Sequence, residues 1–140
     1  MANDITSAIN YVQDLWLEIS GIKAAPDTPP EVLNQFPFAV TFEQSGSAKI
    51  DKNFNSTTWA EQSGVIVSEL HLTRQSLPSA VAAAMAYRNL FLNKLRTNPN
   101  LNATVMAIES LSWQFGALEY GETPTIGYKF SIGVMLELTA

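Results

Sequence analysis

Apolar residues recur at spacings of three and four through ITSAINYVQDLWLEI, residues 5–19, where Ile5, Ile9, Val12, Leu15 or Trp16, and Ile19 form one helical stripe. Asn3 or Asp4 can cap its start, and Gly21 followed by Ile22 predicts a left-handed stop. The proline-rich connector KAAPDTPPE lets no helix continue. In FPFAVTFEQ, residues 36–44, the period changes to two. Phe38, Val40 and Phe42 alternate with Ala39, Thr41 and Glu43, which predicts a half-buried strand with one apolar and one mixed face. A second alternating run, VIVSELHLT at 65–73, sets Ile66, Leu70 and Leu72 on one side and Val65, Val67, Glu69 and His71 on the other.

Pro78 opens a predicted helix that runs to about Arg96, since proline in a first turn loses only a donor the helix would not use. Ala80, Ala84, Tyr87, Phe91 and Leu95 make its core stripe, and Ala82 and Ala86 fall on the polar side, where small residues are either simply exposed or admit a neighbouring chain. Residues 101–115 and 125–138 are predicted strands. The second alternates through Ile126, Tyr128, Phe130, Ile132, Val134, Leu136 and Leu138, and the turn-rich ALEYGETP between them makes the pair a hairpin. The order helix-strand-strand-helix-strand-strand predicts a single α+β domain over residues 1–140, with two helices packed on a largely antiparallel four-stranded sheet.

Between the first two strands lies a long polar arm at about 45–64, read as a hairpin arm or loop. Unstructured loops of that length are usually functional or flexible. The arm has no histidine and only Asp51 and Glu61 as acids, so partner contact is expected there rather than chemistry. The candidate interface residues are Lys49, Asp51, Lys52, Asn53, Phe54 and Trp59, together with His71 on its strand.

A chain of 140 residues has the length of one domain and buries a sizeable core unaided. The absence of cysteine excludes disulfides, thiolate metal sites and a cysteine nucleophile. The N-terminus MANDITSAIN has no basic-then-apolar leader pattern and no run of about 18 apolar residues occurs, so a soluble, unprocessed protein without a membrane span is expected. Net charge is −5, unevenly placed: residues 1–69 carry nine acids and three lysines, whereas 70–108 carry Arg74, Arg88, Lys94 and Arg96 and no acid. Cations near a helix C-terminus account for much of this basic segment. Specific nucleic-acid binding is disfavoured, because phosphate neutralisation calls for clustered Lys and Arg.

The only histidine, His71, has Glu69, Ser76 and Ser79 close in sequence, the residue types of an acid-base-nucleophile site. No nucleophile elbow surrounds either serine and no glycine-rich oxyanion segment precedes them. His71 is therefore expected to be an ordinary sheet-surface or interface residue, whose replacement by alanine leaves the fold intact. One histidine without cysteine or clustered acids does not make a transition-metal site. GETPTIGYK at 121–129 has the wrong glycine spacing for a phosphate loop and precedes a strand. No catalytic residue, cofactor or metal is expected, and the protein is not expected to be an enzyme.

With chemistry weak, the arrangement itself becomes informative. The N-terminal amphipathic helix, PPEVLNQFPFAV after the connector, the passage GVIVSELHLTRQSLPSAVAAAMAYRNLFLNKL and the terminal TIGYKFSIGVMLEL resemble, over nearly the whole chain, the tail terminator or tail completion proteins of long-tailed bacteriophages. The resemblance implies a structural virion protein of the tail and neck, assembled in the host cytoplasm. It would form a homohexameric ring that caps the tail tube, stops its polymerisation and meets the head-tail connector protein. It also implies tail tube protein as a partner, and a channel through which DNA passes without specific binding, which an acidic chain suits. Another head-tail connector ring protein, for head closure or tube association, is the alternative. Outside that class stands a small cytoplasmic enzyme or ligand-binding domain using the His71 face.

Overall fold

The computed structural model describes residues 4–27, 29–30, 35–49, 58–74 and 77–139. They form α1 (Ile5–Leu17), β1 (Phe38–Lys49), β2 (Thr58–Leu72), α2 (Leu77–Arg96), β3 (Ala107–Tyr120) and β4 (Thr123–Thr139). All strand pairs are antiparallel in the order β1-β2-β4-β3, so the chain is α+β, with the helix-strand-strand-helix-strand-strand order expected from its periodicities.

Asp4 caps α1: its carboxylate accepts from the Thr6 backbone N–H at 3.1 Å and from the Ser7 hydroxyl at 2.9 Å, satisfying a donor that the first turn leaves open. The helix ends at Leu17, ahead of Gly21, whose φ of 100° belongs to a separate turn; a side chain there would also run into the Tyr87 hydroxyl of α2. Helix α2 begins at Leu77, one residue before the predicted start at Pro78, which lies in its first turn, and Lys94 and Arg96 occupy its last turn, where the helix dipole favours cations.

Both helices lie on one side of the sheet. Trp16 of α1 stacks on Phe91 of α2 with ring centroids 3.9 Å apart, and both rings meet Phe130 of β4. Around them are Leu15, Leu95, Ile66, Leu70, Ile132 and Leu136, each almost wholly shielded from solvent. Burying side chains of this size contributes about 1.5–3 kcal/mol each, which makes this the main source of stability.

The face of β1 turned to the helices is the mixed one. Ala39 and Thr41 pair with Leu70 and Ser68 and look at α1, while Phe38, Val40 and Phe42 share the opposite side with His71, Glu69 and Val67. A buried polar chain makes this orientation affordable. Trp16 Nε1 donates to Ser68 Oγ at 2.7 Å, Ser68 lies 2.9 Å from Thr41 Oγ1, and Thr41 donates to Gln13 Oε1 at 2.6 Å. Gln13 Nε2 then donates to the carbonyls of Pro26 and Ala39, at 2.7 and 3.0 Å. With each group paired, the desolvation cost of these four polar side chains is offset.

The segment 101–106, expected to start a strand, is a turn: Leu101, Asn102 and Ala103 have φ of 48°, 57° and 65°. Asn100 Oδ1 accepts from the Ala103 N–H at 3.2 Å and the Thr104 hydroxyl donates to the Leu101 carbonyl at 2.7 Å, local bonds that hold the left-handed path while Leu101 is buried in the core. Strand β3 begins only at Ala107 and extends to Tyr120, leaving Gly121 and Glu122 as the turn into β4.

Candidate functional site

On the sheet side away from the helices, β2 carries Glu69 and His71 two residues apart, so both side chains project the same way. The Nε2 of His71 lies 3.0 Å from Glu69 Oε1, and its Nδ1 lies 2.6 Å from the hydroxyl of Thr125 on β4. The carboxylate can only accept, so Nε2 carries a proton and donates to it. The hydroxyl then serves Nδ1 as donor or acceptor by rotating. Gly127 of β4 pairs with His71, and a Cβ there would fall on the Leu70 carbonyl, so only glycine lets β4 approach β2 this closely.

The end of β3 closes the site. The Tyr120 ring meets the imidazole edge-on at 5.7 Å and lies 6.2 Å from Phe38, and its hydroxyl donates to the Pro30 carbonyl of the connector. Burial first, and the Glu69 carboxylate after it, push the Tyr120 phenol above its ordinary 10.0. Arg74, just past β2, donates from Nε to the Thr125 carbonyl at 3.0 Å.

Glu69, His71 and Thr125 thus have the acid-imidazole-hydroxyl sequence of a nucleophilic triad, with Thr125 in place of the serines considered from sequence. Ser79 is exposed at the start of α2, and Ser76 lies outside the described residues. Yet His71 and Thr125 have 0% exposure, so in this conformation neither meets a substrate. The expectation of a surface or interface histidine is corrected on the same ground: a small, fully paired imidazole fits between two strands and costs little to bury. No group of three His, Cys, Asp or Glu able to hold a metal occurs among the described residues.

Of the other candidate interface residues, Lys49 ends β1 and Trp59 belongs to β2, in a ladder that continues through Lys49↔Glu61. Part of the polar arm is therefore paired strand. Asp51, Lys52, Asn53 and Phe54 lie outside the described residues, as do the side chains of Lys49 and Trp59.

A surface that the sequence reading missed runs along the β3 edge. Trp113 and Phe115, on the helix side, remain 43% and 38% exposed because α2 reaches no farther than Arg88, whose guanidinium carbon sits 5.1 Å above the Trp113 ring. Met85 and Leu90 are exposed on α2 as well. The available signal was the run Ser110–Leu118, nine residues without a charge between Glu109 and Glu119 in a strand with neighbours on only one side. On the opposite face, Gln44, Ser112, Gln114, Lys129 and Ser131 line an open polar groove of about 320 Å³.

No protein-family model matches this sequence, and a comparison with curated proteins finds no match. Among the described residues, no helix is long and apolar enough to cross a membrane.

Proposed function

We propose that the protein is a ring-forming tail terminator of a long-tailed bacteriophage, a structural subunit that caps the tail tube, stops its polymerisation and offers the surface on which the head connector docks. The reading rests on the whole-chain resemblance, and one observation carries it further. A chain of 140 residues keeps two large aromatic side chains, Trp113 and Phe115, partly in solvent on an edge strand of its sheet, which suits a subunit that is finished by its neighbours. A ring of identical subunits presents two different surfaces from each copy, and an acidic chain suits passage of DNA without adhesion.

The decisive experiment adds purified protein to polymerising tail tube protein and images the product by negative stain. Tubes that stop at a defined length, each ending in a ring of this protein, support the reading. Rings that leave tube growth unchanged move the protein to the head-closure or tube-associated connector class. A monomer that attaches to neither tubes nor connectors overturns the proposal.

A further inference from the structure

We infer that copies of this chain join edge to edge, the free edge of β3 in one copy pairing with the free edge of β1 in the next. The inference rests on the ring reading and names the two surfaces such a ring would use.

The topology permits it. In four antiparallel strands the two edges run in opposite directions, so a second copy in the same orientation places its β1 antiparallel to the first copy's β3, with helices on the same side. Among the described residues the β1 edge is covered at its beginning, where the connector pairs at Ala24↔Phe38 and the Ala24 carbonyl accepts from the Ala39 N–H at 3.0 Å, and the strand bulges between Glu43 and Ser45. The β3 edge has a bulge beside Glu109, but its uncharged run beyond this carries no lysine, proline or second bulge to discourage pairing.

Charge selects the partner edge. Arg88 overlies Trp113 on the helix side of β3; its guanidinium donates to Asn89 Oδ1 at 2.6 Å and has no carboxylate partner among the described residues. Glu43, on the helix side of β1 by its pairing with Ile66, is exposed and has no cationic partner among the described residues. Edge-to-edge docking with Phe115 opposite Glu43 of the next copy brings that carboxylate diagonal to Trp113 and toward Arg88. Pairing β3 with β3 about a two-fold axis brings two Arg88 side chains to one aromatic patch. In the register that overlaps the uncharged runs fully, centred on Gln114, it also sets Glu109 opposite Glu119, and facing like charges destabilise a strand pair.

The chain has no cysteine, so introduced thiols report only the intended contact. Glu43→Cys and Phe115→Cys proteins, mixed and mildly oxidised, should form disulfide dimers, whereas neither alone should; the double variant should give a ladder of covalent oligomers. Arg88→Glu should weaken self-association about tenfold by sedimentation, and adding Glu43→Lys should restore it. Cross-linking by Gln114→Cys alone overturns the inference in favour of a two-fold β3 contact centred on that residue. Oligomers by light scattering with no disulfide in the mixture overturn edge pairing and leave the ring reading standing. An unmodified protein that stays monomeric at its highest soluble concentration overturns both.

Discussion

Two tryptophans mark the covered middle and the uncovered edge of this sheet's helix side. Trp16 lies at 0% exposure between Phe91 and Phe130 with its indole N–H donated to Ser68, while Trp113 lies 43% exposed on an edge strand with a single arginine over its ring. The sheet is finished by its own chain on the β1–β2–β4 side, through α1, the connector and Tyr120, and left bare at β3. Among the described residues, buried polar groups are paired where the chain supplies the cover; where it does not, apolar side chains remain partly in solvent.

Trp16→Ala should break the covered side most severely, costing about 3–5 kcal/mol in urea denaturation, because it removes a packed ring and leaves Ser68 without its indole donor. A loss below about 1 kcal/mol would mean that α1 is not held as described. His71→Ala should cost about 2–3 kcal/mol, since Thr125 is left buried with a missing partner. His71→Leu combined with Thr125→Val should cost less, because no orphaned hydroxyl remains. Equal stability of wild type and His71→Ala would return the histidine to the surface role expected from sequence.

Tyr120→Phe should cost about 1 kcal/mol through the lost bond to the Pro30 carbonyl. It also tests the pH dependence. The folded-state phenol ionises above its ordinary 10.0, so its contribution is complete below pH 10 and falls as pH rises toward the folded value, where the unfolded chain has already lost the proton. The variant should flatten that part of the alkaline fall in denaturation midpoint; an unchanged slope would contradict the burial described. Trp113→Ala should have the smallest effect on the subunit itself, below about 1 kcal/mol. By the edge-pairing inference it should nevertheless reduce self-association, and an equally large loss of subunit stability would erase the contrast between the two tryptophans.

The helix stripe at 5–19, the alanine-rich stripe of α2 and the alternation in β4 were legible because each repeats over several turns or strand positions, and a repeated period specifies a face. The orientation of β1 was not. Phe38, Val40 and Phe42 look like a core face, but which face meets the helices depends on Gln13, Ser68 and the Pro26 carbonyl, distant in sequence, making Thr41 the better inward residue. The same limit applies to the buried histidine. Glu69 beside His71 could be read directly from the alternation, whereas Thr125, 54 positions away, enters only through the β2–β4 register. Leu101, Asn102 and Ala103 looked like strand because their left-handed path is set by local hydrogen bonds and by the buried Leu101 side chain.

By itself, then, the sequence determined the number, order and kind of elements, since backbone periodicity is a local property that hydrophobic spacing records. Tertiary structure decided which face of β1 meets the helices, that His71 is sealed with Glu69 and Thr125, and that β3 keeps Trp113 and Phe115 partly in solvent. Each of these depends on which distant segments cover a residue, and that is settled by register and by how far two helices reach across four strands.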